Sequence, residues 1–260
     1  MEHLKLKVEN KIAILSINRP QAKNSLNEQT YAEFSEAIEK IRKDDNIRVL
    51  IITGEGDTFC AGVDLNYAAS KLKAYTQTQF RTMLDTIQRT FMFEKLNKPV
   101  IAAVKGYALG NGFDIALACD FIIAAENTKF SMAYINLGLI PDLGGTYRLA
   151  KLVGPSIAKE LILTGDRIDA RRAYELGIVN RLVSDEKVME EAMEFANKLI
   201  KKSPIALALA KMAIDKSMYS DLATSLELES YIQGLCSLSE DATEAAAAMF
   251  EKRDPIFKGN

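Results

Sequence analysis

Two spacings of apolar residues run through this chain. LKLKV (4–8) alternates and IAILSI (12–17) is nearly continuous, so both read as strands, and the Glu9-Asn10 junction between them predicts a hairpin. Tyr31, Phe34, Ile38 and Ile41 then recur at helical spacing, with Ser25 or Asn27 as the N-cap. VLIIT (49–53), PVIAAV (99–104), FIIAA (121–125) and IVNRLV (178–183) are short apolar runs that predict further strands. A polar helix is expected around 76–96, and a short one from near Asn111, after the turn KGYALG. A third is expected over 141–154, opened by Asp142 and closed by Gly154. From about Asp185 the pattern is almost wholly helical, with Ser203-Pro204 as a cap followed by a first-turn proline. Strands apolar on both faces, alternating with helices, predict an α/β fold.

Composition narrows what such a fold does. The chain has 260 residues, 48% hydrophobic and 26% charged, enough for a sizeable core. A net charge of −2 gives no electrostatic reason to expect nucleic acid or an anionic membrane as partner. The start, MEHLKLKVENK, lacks the apolar region of a signal peptide, and the long apolar run from Pro99 to Ala125 is broken by Lys105, Asp114 and Asp120. Cys60, Cys119 and Cys236 show no CxxC spacing, which predicts reduced thiols and a cytoplasmic setting. The single histidine, His3, argues against a Ser-His-Asp triad and a multi-histidine metal site, and no metal is expected. The chemistry is left to carboxylates, backbone dipoles, lysines and tyrosines.

Two glycine turns follow buried strands: CAGVD after 49–53 and LGNGF after 99–104. Converging, they would offer two N–H donors to one oxyanion; otherwise the glycines simply permit tight turns. GNGFDI lacks the third glycine of a dinucleotide fingerprint. Asp114 either projects towards those N–H groups or interacts with its own helix N-terminus. Asp142, after Pro141, is either an N-cap or a second acid. Tyr134 has the alternative of a core aromatic with its hydroxyl bonded, and the tail FEKRDPIFKGN that of a solvated end.

NRPQAKNSLN, FCAGVDL, KPVIAAVKGYALGNGFDIALACD, NLGLIPDLGGTYRL, LTGDRIDARRAYELGIVNRLV and EKRDPIFKGN resemble, in this order, the signature segments of the crotonase (enoyl-CoA hydratase/isomerase) superfamily. The resemblance implies an α/β spiral of ββα units over 1–195 and a helical trimerisation region over 196–260. It implies a homotrimer, or a hexamer of two trimers, that binds acyl-CoA, with coenzyme A part of the substrate and no separate cofactor. It assigns the oxyanion donors to the backbone N–H groups of Val63 and Asn111. Glycine is usual at the second position, and since the backbone is the donor, Asn111→Gly is expected to be tolerated. Ala22, Lys23, Ala61, Gly62, Asp64 and Leu65 match the strip that holds adenine and pantetheine, and Phe257 and Lys258 match tail residues that reach a neighbouring subunit's coenzyme A.

Hydratases of this family hold a water between two glutamates, whose positions here are Asp114 and Tyr134. A tyrosine, with an ordinary pKa of about 10, is no ready base at neutral pH. Asp142 matches a position where double-bond and ring isomerases place an acid, among Leu139, Ile140 and Leu143. The resemblance thus implies an enoyl-CoA, dienoyl-CoA or ring-type isomerase with Asp114 and Asp142 catalytic and Tyr134 against the substrate. The alternatives are hydration, or a catalytically weak acyl-CoA-binding trimer whose aspartates are helix caps.

Overall fold

The computed structural model describes the backbone of residues 1–260 and the side chains of all but Leu72. β1 (Leu4–Glu9) and β2 (Ile12–Ile17) pair antiparallel, from Leu4 opposite Ile17 to Glu9 opposite Ile12. Their turn is Asn10-Lys11, one residue later than expected. Both residues have positive φ, 48° and 66°, as a tight hairpin that follows strand twist requires.

β3 (Val49–Gly54), β4 (Val100–Val104), β6 (Phe121–Ala125) and β9 (Arg181–Val183) extend β2 in parallel, giving the order β1-β2-β3-β4-β6-β9. The continuous apolar runs are explained by two covering layers. Ile12, Val49, Ile51, Ile101, Ala103 and Ile123 face α7 (Val188–Ile200), which buries Val188, Ala192 and Ala196 against them. The alternate residues Leu50, Ile52, Ala102, Val104 and Ala124 face the main core with Phe34, Phe59, Phe113 and Phe130. A second sheet of β5 (Tyr107–Leu109), β7 (Lys129–Ser131) and β8 (Ile168–Asp169) was not expected, because strands of two or three residues show no readable period.

α1 (Glu28–Lys43) carries Phe34, Ile38 and Ile41 into the core and is capped by Asn27, whose side chain accepts the Thr30 N–H. The expected helix over 76–96 is α3 (Gln77–Thr90) followed by a short 3-10 turn, and α2 (Leu65–Ala74) precedes it, capped by Asp64. α4 (Asn111–Ala118) is buried at every residue. α5 (Gly145–Thr164) corrects the expected 141–154 helix at both ends. Its N-cap is Gly144, so Asp142 lies before the helix and does not cap it, and Gly154 is a break inside it, with φ 79° and ψ 159°, followed by Pro155. α6 (Ala170–Glu175) leads to β9.

The boundary expected at 195/196 falls inside α7, which runs from Val188 to Ile200. α8 (Pro204–Ser217) starts at Ser203-Pro204 as expected, then α9 (Leu222–Ser237) and α10 (Glu240–Glu251) follow. α8 is tied to the body by Lys211, whose ammonium donates to Asp120 at 2.7 Å and to the Lys98 carbonyl at 3.1 Å. Among the described residues no helix is long and apolar enough to cross a membrane.

Candidate active site

The loops that leave the C-terminal ends of β3 and β4 meet. Residue 60 bridges to Ala108, with Cys60 N–H donating to the Tyr107 carbonyl and Leu109 N–H to the Cys60 carbonyl. Leu26 in turn bridges to Val63: its N–H donates to the Gly62 carbonyl, and its carbonyl accepts from the Asp64 N–H. These bonds use the groups on either side of Val63, so Val63's own N–H points away from Leu26. Asn111 opens α4, so its N–H has no acceptor within the helix. Among the described residues neither N–H donates to a protein acceptor. Gly62 makes the approach possible. It has φ 97°, and a methyl group there would stand 2.8 Å from the Leu109 carbonyl oxygen and 3.7 Å from the Asn111 nitrogen.

Asp114 lies one turn into α4 and is fully buried. Its carboxylate does not serve its own helix N-terminus. Oδ2 accepts from the Tyr134 hydroxyl and from the Leu143 N–H at 3.4 Å, and Oδ1 has no partner among the described residues. A Cβ at position 145 would stand 2.0 Å from that oxygen, so the carboxylate packs against a residue that must be glycine. Burial pushes the Asp114 carboxyl up to about 7, helped by the charge of Asp142 and opposed by the two hydrogen bonds. Tyr134 is buried as expected of a core aromatic, and burial and both aspartates push its phenol well above the ordinary range. It is a donor here, not a base.

Asp142 sits in the segment between the 3-10 turn Ala133–Leu137 and α5. Oδ1 accepts from the Asn111 side-chain amide at 2.8 Å, and its carbonyl accepts from Gln88 of α3 at 2.7 Å. Burial raises its pKa, and the Asn111 amide and the Tyr134 hydroxyl oppose this. The apolar surround expected from Leu139, Ile140 and Leu143 is supplied by Leu143 alone in full: Ile140 is 69% exposed. One small region therefore holds Val63, Asn111, Asp114, Tyr134 and Asp142.

The strip expected to hold the nucleotide end borders this region. Lys23, at φ 50° after the 3-10 turn Pro20–Ala22, accepts the Ala61 N–H on its carbonyl at 3.0 Å. Its ammonium lies over the Tyr107 ring at 5.6 Å, as does the Arg167 guanidinium. Asp64 is engaged within the protein. It caps α2 and pairs with Arg19 at 3.1 Å; burial pushes its carboxyl up, and the Arg19 guanidinium with the Tyr67 and Asn66 N–H groups outweighs this and holds it below the usual range. Leu65 is 62% exposed. Phe257 and Lys258, expected at a neighbouring subunit's coenzyme A, lie away from this chain's own site. The Phe257 carbonyl accepts from Arg48, beside the start of β3, and the Lys258 N–H donates to Asp241, so the tail lies at the opposite end of the sheet.

The Asn111 side chain, Leu143 N–H, Gln88 and Arg19 were not identified from sequence. Their partners are 31, 29, 54 and 45 residues away, and no local spacing signals them. A cavity of about 1130 Å³ lies behind the site, between α5 and α8; Leu143 and Gly144 line it, and Val63, Asn111, Asp114 and Asp142 do not.

A family model for enoyl-CoA hydratase/isomerase matches residues 7–260. The crotonyl-CoA hydratase of Syntrophomonas wolfei is 39% identical over 257 residues, covering 98% of either chain. The 1,2-epoxyphenylacetyl-CoA isomerase of Escherichia coli is 37% identical over 266 residues, covering 100% of this chain and 99% of the other. The crystal structure of an enoyl-CoA hydratase from Bacillus anthracis superposes with a TM-score of 0.94 at 38% identity, over 99% of this chain and 100% of that one.

Proposed function

The chain belongs to the enoyl-CoA hydratase/isomerase family, and on that premise we propose that it isomerises enoyl-CoA double bonds, with Asp142 as base and the N–H groups of Val63 and Asn111 as oxyanion donors. Its substrate is an acyl-CoA thioester, coenzyme A enters as part of that substrate, and the scheme uses no separate cofactor. One observation carries the isomerase reading. Position 134 holds a phenol whose hydroxyl donates to Asp114, so it offers no second carboxylate to share a water. Asp142, held through Oδ1 by Asn111, has Oδ2 for a substrate proton.

For a shift from position 3 to 2, Asp142 Oδ2 takes the α-proton. The C–H pair forms the enolate double bond and the carbonyl pair moves to oxygen, where the two N–H groups hold the charge. The oxygen pair then restores the carbonyl, the α–β double bond forms, and the former β–γ pair takes the proton back from Asp142 at the γ-carbon. One proton leaves and one returns, so nothing is oxidised or reduced.

Hydration is the second reading, favoured by the relatives named as hydratases and by an Asp114 carboxyl near 7, suited to a single base. Purified protein is assayed with cis-3- and trans-3-enoyl-CoA and with crotonyl-CoA, and the products are identified by mass spectrometry. Isomerised products with slow hydration are expected, and Tyr134→Glu is expected to raise hydration. Fast hydration without isomerisation overturns the proposal, and unchanged substrates leave an acyl-CoA-binding trimer.

Assembly into trimers or hexamers is part of the same proposal. Leu222, Leu226 and Leu235 along α9 and Leu238 just after it, with Met249 and Phe250 of α10, are between 52% and 88% exposed in the single chain, an apolar surface of the kind that marks an interface. Sedimentation is expected to give at least the trimer mass; a monomer overturns it.

A further inference from the structure

We propose that Asn111 is a positioning residue as well as an oxyanion donor, its side-chain amide fixing Asp142 so that the base and the donor are set by one residue. The inference rests on Asp142 being the base. Asn111 is 3% exposed and sits at the first position of α4, with its backbone fixed by the helix and its side chain unable to swing into solvent. Its Nδ2 meets Asp142 Oδ1 at 2.8 Å. Asp142 is on a connecting segment outside any helix, where a side chain keeps its rotamer only if something holds it. Gln88 holds the carbonyl of that residue, and the amide of Asn111 holds its carboxylate. With Oδ1 engaged, Oδ2 is the proton-carrying atom, at a fixed setting relative to the N–H of the same residue that holds the amide. As a backbone donor alone, Asn111 is replaceable by glycine; with the side-chain bond to Asp142, Asn111→Gly removes what holds the base.

A donor that prefers the carboxylate form lowers the pKa of Asp142, so its loss raises it. The other groups facing Asp142 are Tyr134, whose hydroxyl is bonded to Asp114 and also favours the Asp142 carboxylate, Asp114 itself and Tyr31 of α1. All three are common to the variants, so they shift the baseline and not the difference.

The test compares Asn111→Ala and Asn111→Asp in the full-length protein. Both keep the backbone N–H, and aspartate is favoured in a helix first turn, so that variant is expected to fold. Asn111→Ala is expected to lower kcat by about 10–100-fold with KM little changed, the cost of a reacting group that is no longer held. The acid limb of the kcat profile is expected to move up by about one unit, the equivalent of a hydrogen bond to a charged group. Asn111→Asp is expected to move it further, because a carboxylate replaces the donor. In an Asp142→Asn background the alanine substitution is expected to cost nothing more. The carboxyl of Asp142, followed by carbon-13 NMR and assigned by its disappearance in Asp142→Asn, is expected to titrate higher in Asn111→Ala without any turnover being needed. An unmoved titration, or an equal loss with and without Asp142, overturns the positioning role and leaves Asn111 a backbone donor. Full isomerase activity in Asp142→Asn instead overturns the base assignment, whatever Asn111 does to the titration.

Discussion

Asp142→Asn is expected to lower kcat for isomerisation by about 10²–10⁴, the range for removal of a general base, and to leave the melting temperature nearly unchanged. The structure separates these two effects. Had Asp142 been the N-cap of α5, its loss would cost about 1 kcal/mol of stability. Gly144 is the N-cap, and Asp142 precedes it. An asparagine keeps an oxygen for the Asn111 amide, and the Asp142 carbonyl bonded by Gln88 is untouched. What the substitution removes is the proton acceptor. Kinetics with a 3-enoyl-CoA and a thermal melt on the same preparation check both halves. Intact isomerisation with a lowered melting temperature would make Asp142 structural and move the proton transfer elsewhere.

Asp114→Asn is expected to have the opposite profile: a smaller loss of kcat, and a gain in stability relative to wild type that grows with pH. The folded protein holds the Asp114 carboxyl at about 7, against 3.8 for the free side chain. Because the folded value is the higher one, this group's contribution is fully present below about pH 4 and is lost as pH rises to 7. A shift of this size corresponds to a few kcal/mol, on the order of 1.4 kcal/mol per unit. Asparagine cannot ionise, so the melting-temperature difference, variant minus wild type, should climb between pH 4 and 7 and level off above. Its baseline also includes a fixed cost, because one end of the amide replaces an oxygen that has no partner beside Gly145. The slope is therefore diagnostic. Calorimetry at several pH values reads it, and a difference that does not vary with pH would mean that Asp114 is neutral, or well solvated, throughout.

Elements whose pattern is long or two-sided are legible from the chain's residues alone. β2, β3, β4 and β6 are legible because a strand covered on both faces is almost wholly apolar, β1 because it alternates, and α1 because its apolar stripe has one period and its cap is local. The α8 start was legible from Ser203-Pro204 alone, since a cap and a first-turn proline act within a few residues. The signature segments likewise carried the family, and with it the residues to look for. What those residues touch is set by long-range packing. Asp142 has the local appearance of an N-cap, and the chain instead enters α5 through Gly144 at φ 95°, which frees the carboxylate for Asn111. Asp114 has the local appearance of a first-turn acid, and is bonded instead by Tyr134 and Leu143, 20 and 29 residues away. Burial raises its pKa, and burial depends on which segments the two sheets and α5 bring together, a long-range outcome that no spacing of neighbours encodes.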